Sequence, residues 1–172
     1  MTDAIAAAQL TLTPIGWVRS SYQRRFGTPQ QATAVDSDAD AWVELDGSRI
    51  PAAAIADLDG MSYVWLITWL HKSSGTWAPQ VRPPRGSRQR RGVFATRSPD
   101  RPNPLGLSAV RLVRVEGLRI YVRGIDLLDG TPVLDIKPYI PYADAFADAK
   151  AGWVDDIPRD ALQIARYEPG SR

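Results

Sequence analysis

Short apolar runs, most of them alternating with polar residues, follow one another along the chain and are cut by prolines, glycines and aspartate-glycine pairs. That alternation puts successive side chains on opposite faces of a strand. It predicts strands over residues 10–19, 42–45, 62–70, 92–96, 107–116, 118–128 and 132–137. Pro14 marks the first as an edge or bulged strand, because proline cannot donate to a ladder. Residues 62–70 are apolar on both faces, which predicts a central strand. In 107–116, Ala109, Arg111, Val113 and Val115 share one face, and Val110, Leu112 and Arg114 share the other. Asp46-Gly47 and Asp129-Gly130 are strong hairpin signals. The second predicts that 132–137 folds back on the strand before it.

Helical signals are few. Pro51 followed by alanines predicts a helix over 51–58, stopped by Gly60. A second short helix is expected over 159–167. Seven short strands and two short helices predict a mainly β fold, a small antiparallel β-barrel with short helices as α+β decoration. No βαβ alternation and no GxGxxG after a strand argues for a dinucleotide fold. A chain of 172 residues is expected to form a single domain, with its core at about 10–146 and a tail over 147–172.

Residues 92–106 interrupt the alternation. Pro99, Pro102 and Pro104 fall within six residues and push their predecessors toward extended geometry. The stiffened loop displays Arg97, Arg101 and Asn103. It reads either as a surface turn with solvated arginines or as a rigid display for a small-molecule or phosphate site. The 73–91 stretch before it is a long polar loop, of a kind that is usually functional or mobile.

Charge sharpens the picture. The net charge is only +2, yet residues 61–125 hold twelve Lys/Arg against two Asp/Glu, and both flanks are acidic. Seven arginines lie between Arg82 and Arg101: Arg82, Arg85, Arg88, Arg90, Arg91, Arg97 and Arg101. Such a block is either a solvated basic loop or a surface for a polyanion, nucleic acid first. The chain has no cysteine, which excludes disulfides and suits a reducing compartment. Neither a signal peptide at 1–10 nor a membrane span is expected, since the longest apolar run, 64–70, is far too short. The expectation is a cytoplasmic protein.

Candidate chemistry is sparse. His71 is the only histidine and ends an apolar strand, so it is either structural or a site residue. No metal-ligand spacing occurs, and no metal is expected. Ser98 and Asp126 suggest a hydrolase triad, but no GxSxG elbow supports one. Asp126, Asp129, Asp135 and Lys137 crowd the 125–139 segment. Asp129 is explained by its turn. Asp135 and Lys137, two apart, are expected to pair on one strand face.

The runs GVFATRSPDRPNPLG and IDLLDGTPVLDIKPYIPYAD, with Pro14-Ile15-Gly16-Trp17-Val18-Arg19-Ser20, residues 62–71 and Val81-Arg82-Pro83-Pro84-Arg85, resemble the tRNA methyltransferase O (TsaA-like) family over residues 12–146. The resemblance implies a β-barrel methyltransferase that works as a homodimer with S-adenosylmethionine as donor. The implied acceptor is the exocyclic nitrogen of threonylcarbamoyladenosine next to the anticodon of threonine tRNA. The implied donor site is Gln31, Ala32, Thr33, His71, Lys72, Arg97, Leu107, Ile125, Asp126 and Leu127. Lys72 stands where family members often carry glutamine, and Ala32-Thr33 where they carry Pro-Gly. Within that site Asp126 is expected to orient the donor's amine or ribose, and Arg97 its carboxylate. Asn103 and the Asp135–Lys137 pair are expected to position the base, so that Asn103, Asp126, Asp135 and Lys137 form the catalytic set. Arg82, Arg85, Arg88, Arg90, Arg91 and Arg101 are expected on the phosphates of the anticodon stem-loop. Some members carry a C-terminal tRNA-binding extension, which a chain ending at Arg172 is expected to lack. The rival readings are a non-enzymatic RNA- or nucleotide-binding barrel and a methyltransferase with a different small acceptor.

Overall fold

The computed structural model describes residues 10–24, 41–84 and 89–158. Six antiparallel strands close into a barrel: β1 (Gly16–Arg19), β2 (Ala41–Leu45), β3 (Tyr63–Trp69), β6 (Leu105–Glu116), β7 (Arg119–Arg123) and β8 (Pro132–Pro138), in the order β1-β2-β7-β6-β3-β8 and back to β1. Two further strands, β4 (Gln80–Val81) and β5 (Arg91–Gly92), form a separate two-stranded ladder in the long polar loop. The predicted antiparallel barrel is therefore the fold.

Alternation builds the core. Val18, Val43, Val64, Leu66, Val110, Ile120, Val122 and Val133 point inward and are shut off from water. The inward residues change character at one end. Thr68 closes β3, Ser108 opens β6 and Thr131 precedes β8, and these are the buried polar residues of the described chain. The other end is covered by residues 50–61, where Ile50, Ile55, Leu58 and Met61 pack on the core.

Several expectations need correction. The first strand begins at Gly16 and not at residue 10. Residues 51–58 form no α-helix: two 3₁₀ turns, Ala52–Ile55 and Leu58–Gly60, are separated by Asp57 at φ 64°. A left-handed residue breaks a helix however many alanines precede it. Residues 92–96 are not a strand; β5 ends at Gly92 and a 3₁₀ turn, Val93–Ala95, follows. Strand β7 stops at Arg123, so 124–128 leave the sheet. Asp129-Gly130 does make a turn, with Gly130 at φ 73° and Thr131 N–H donating to Leu128 O at 3.2 Å. It joins no hairpin, however, because β7 pairs with β2 and β6 while β8 pairs with β1 and β3.

Two bulges matter. In β6 the register slips between Leu112 and Arg114, so one extra residue shifts the alternation. Val115 then packs on the core, and Arg114 turns outward over the Tyr121 ring at 3.6 Å and pairs with Glu116 at 2.6 Å. In the β3–β8 ladder the register slips between Ile67 and Thr68. Strand β3 is central, as expected, but only Val64, Leu66 and Thr68 are buried; its outer face is partly exposed at Tyr63 and Trp69. The predicted helix over 159–167 lies outside the described residues.

Gly16 is a tight point of the barrel wall, where a Cβ would collide with the Glu44 carbonyl oxygen and the Leu45 Cα. Backbone atoms cannot yield as a side chain would. Gly16→Ala is therefore expected to destabilise the fold by about 1–3 kcal/mol, read as a lower midpoint in urea with an unchanged slope.

Candidate active site

A cavity of about 1350 Å³ opens at the polar end of the barrel. Five segments wall it. They are the turn after β3 (71–78), the 81–84 segment, the proline-stiffened loop (94–101), the start of β6 (Leu105–Ser108), and the 126–128 loop before β8. A sixth wall comes from residues 153–157 of the tail.

The 126–128 loop owes its place to the β1 end of the barrel. Ser20 Oγ donates to Leu127 O at 2.9 Å, Ser20 N–H donates to Asp129 Oδ1 at 3.2 Å, and Asp129 N–H donates to Tyr22 O at 2.8 Å. Ile125 and Leu127 sink into the core, leaving Asp126 between them on the cavity wall. Buried Ser108 donates its hydroxyl to Asp126 Oδ1 at 2.6 Å. A short bond to a carboxylate fixes its orientation.

The proline loop is held by more than its prolines. Thr96 Oγ1 donates to Val93 O at 2.8 Å, Arg101 Nη1 donates to Thr96 O at 3.4 Å, and Leu70 N–H donates to Pro104 O at 2.7 Å. Asp100 reaches across to the 71–78 turn and accepts from Ser74 N–H at 2.8 Å. The two loops are thus tied together. Arg97, Lys72 and Arg82 stand exposed on the cavity, and Arg101 lines it half-buried against the Phe94 ring at 6.0 Å.

His71 lies on the same wall. Partial burial, the larger cause, and the adjacent Lys72 ammonium both lower its pKa below the usual 6.5. The imidazole is therefore mostly neutral at pH 7 and accepts or donates a hydrogen bond without adding charge.

Sequence reasoning missed two contributors. Ser108 falls in phase with inward Val110 and Leu112, and a lone hydroxyl in that phase was the available signal. Trp153 was the other. Its indole Nε1 donates to Ala95 O at 2.8 Å, and the Arg91 guanidinium stands 5.6 Å from its ring centre. With Val154 and buried Ile157 it straps the tail across the cavity.

Of the residues predicted for the site, His71, Lys72, Arg97, Leu107, Asp126 and Leu127 meet on the cavity, joined by Arg82 and Arg101. Ile125 lies behind the wall, in the core. Asp135 and Lys137 do pair, at 3.0 Å, but neither lines the cavity. They sit opposite Ile67 and Trp65 on the partly exposed face of β3, away from the site. Asn103 is exposed on the proline loop and is also absent from the cavity wall. Arg90 and Arg91 lie off it as well, Arg91 being engaged with Trp153. Gln31, Ala32, Thr33, Arg85 and Arg88 fall outside the described residues. Among the described residues no three His, Asp or Glu side chains group as metal ligands, and no helix is long and apolar enough to cross a membrane.

The family model of the tRNA-methyltransferase O N-terminal domain matches residues 17–145. The chain belongs to that family. A relative in Pseudomonas aeruginosa, named a putative S-adenosylmethionine-dependent methyltransferase RcsF, is 45% identical over 94% of this chain and 70% of its own length. The Escherichia coli tRNA (adenine(37)-N6)-methyltransferase is 40% identical, over 88% of this chain and 66% of its own. The crystal structure of TrmO from P. aeruginosa superposes with a TM-score of 0.72 at 41% identity, covering 88% of this chain and 64% of that one. The chain thus spans about two thirds of the length of these proteins. The family is one of S-adenosylmethionine-dependent methyltransferases. Residues 153–157 of the strap lie beyond the matched segment.

The lowered His71 pKa has a measurable consequence. The unfolded chain takes up a proton on this residue at higher pH than the folded one. The folded state's stability against this residue is therefore intact above pH 6.5 and falls as pH drops below it. An NMR titration is expected to place the His71 midpoint below 6.5, and Lys72→Gln to raise it only part of the way back, burial being the larger cause.

Proposed function

We propose that the protein transfers a methyl group from S-adenosylmethionine to the exocyclic nitrogen of adenosine 37 of tRNA, with the threonylcarbamoyl-modified adenosine of threonine tRNA as acceptor. The observation that carries this reading is the composition of the large cavity: a hydrogen-bonded carboxylate beside buried Ser108, apolar walls, and an arginine-bearing rim.

The residues suit the donor on chemical grounds. S-adenosylmethionine supplies an electrophilic methyl group on a sulfonium, next to a ribose, an amine and a carboxylate. Asp126, fixed by Ser108, suits the ribose hydroxyls or the amine. Arg97 suits the carboxylate as a bidentate partner. Leu107 and Leu127 offer apolar surface to an adenine ring. Neutral His71 adds no positive charge near a sulfonium. The cavity exceeds the usual span of about 300–1,000 Å³ for one small ligand, which leaves room for an entering base.

Methyl transfer to an amide-like nitrogen is governed by alignment. The new N–C bond forms as the S–C bond breaks with its electron pair staying on sulfur, and the nitrogen's proton passes to a carboxylate or a water. Rigid walls supply that alignment, and here the Asp100–Ser74 tie, the Ser20 contacts and the Trp153 strap make them rigid. Arg82 and Arg101 at the rim suit tRNA phosphates.

The same reading takes the protein as a cytoplasmic homodimer. What supports a dimer is an outer aromatic cluster at the far end of β3. There Tyr139 stands 6.2 Å from Tyr63 and 5.5 Å from Trp65, and the chain that follows exposes Tyr142 and Phe146.

The test is methylation of tRNA carrying the modified adenosine, followed by mass spectrometry of its nucleosides. Wild type is expected to add one methyl group. Arg97→Ala and Asp126→Ala are each expected to lower kcat/KM by about 10- to 100-fold, the scale of a lost charged hydrogen bond. Full activity in both variants would overturn the assigned site. Trp153→Ala is expected to weaken donor binding in calorimetry while leaving the urea midpoint close to wild type.

A further inference from the structure

A second cavity, of about 330 Å³, lies across the 71–77 turn from the first. Trp69, at the end of β3, and Trp77 both line it, and they are 39% and 50% exposed. Single exposed aromatics are ordinary, but two large apolar rings on one concave surface mark a binding site. Pro102, Pro104 and Arg101 line it with them.

We infer that this second cavity receives the nucleobase next to the acceptor adenosine, unstacked from the tRNA loop and stacked on the tryptophans. The inference rests on the tRNA acceptor proposed above and adds a subsite to it.

Four observations favour a base. The two cavities share His71, Ser73, Thr76, Trp77, Asp100 and Arg101 as a common partition, so whatever fills the second abuts whatever fills the first. Adjacent nucleotides of one strand are joined in the same way. The volume lies at the lower end for small-ligand sites, which suits one base with its sugar and excludes a duplex. The partition is braced, because Ser74 N–H donates to Asp100 and Leu70 N–H donates to Pro104 O, so little ordering cost falls on binding. The surrounding segment, 61–125, is strongly basic, with Lys72, Arg82, Arg97 and Arg101 facing these two cavities. Aromatic platforms beside cations are how proteins hold unpaired bases, and stacking tolerates any base because each has a π-face.

The subsite divides the work. If the flanking base is held on one side of the partition, the acceptor adenosine is drawn out of its stack on the other. The cost of unstacking is then offset by stacking on protein.

The experiment uses an anticodon stem-loop RNA with 2-aminopurine placed at each nucleotide flanking the acceptor adenosine in turn. Wild-type protein is expected to bind it and to change the probe's fluorescence at one of the two positions. Trp77→Ala is expected to abolish that change and to weaken RNA binding about tenfold, the scale of one lost base stack. Trp77→Phe is expected to keep both. Trp69→Ala is expected to weaken RNA binding while S-adenosylmethionine binds as in wild type, since Trp69 does not line the first cavity. Binding and fluorescence unchanged in both alanine variants would overturn the subsite and leave the methyltransferase reading standing. Loss of RNA binding that accompanies a changed sedimentation coefficient in Trp69→Ala would assign the face to a protein contact and overturn it too. Failure of the wild type to bind the RNA would overturn the subsite together with the tRNA reading.

Discussion

Strand β8 hydrogen-bonds along both edges, to β3 from Pro138 down to Val133 and to β1 at Val133 and Pro132, and the two ladders meet at Val133. That residue is fully buried and faces both Thr68 and Gly16 across the sheet. A sheet with six strands and no free edge needs such a joint, and closure removes the aggregation hazard of exposed edges. The joint also sets the site. The register slip beside Thr68 lets β8 turn from one neighbour to the other, and it occurs at the end of the barrel where inward residues become polar. Close approach there needs Gly106, where a Cβ would collide with Thr68 Oγ1. The cavity is what remains when the barrel closes over apolar side chains at one end and over Thr68, Ser108 and Thr131 at the other.

Much of this barrel was legible in the chain, and the misses share a cause. Alternation marked most of β6, and apolar runs marked β2 and β3, because one face of each is buried. It failed at Val113, where a bulge inserts one residue and reverses the facing of all that follows. Asp129-Gly130 was rightly read as a turn and wrongly as a hairpin. A turn dipeptide reports local backbone, whereas strand partnership is decided by closure between β8, β3 and β1. Residues 51–58 show the same limit from the helical side. Helix propensity, even alanine's, yields to tertiary context, and Asp57 adopts a left-handed conformation that lets Leu58 reach the core.

The site follows the same division. Arg97, His71 and Asp126 were read from their neighbours and from a family likeness, and the fold brings them to one cavity. The Asp135–Lys137 pair was rightly read as a pair, since the two residues share a face. Which face could not be read locally, because it depends on β3 lying beside them. Trp153 carried no periodic signal. It matters through one hydrogen bond to a backbone carbonyl and one cation contact, both made across the fold.

The arrangement of charge gives the cavity a polarity with depth. Asp126 is half-buried against Ser108, while Lys72, Arg82 and Arg97 are exposed. Coulomb interactions at the exposed rim are weakened by water and by salt within about 8–10 Å, whereas a partly buried carboxylate is screened much less. The rim therefore acts on an anionic group only at close range, and salt loosens its hold. The interior acts at short range on a small ligand that carries its positive charge inward. A cavity lined by one sign of charge would attract only groups of the opposite sign. Separating the signs along the depth of one cavity lets its walls favour a cationic group inside and an anionic group at the rim.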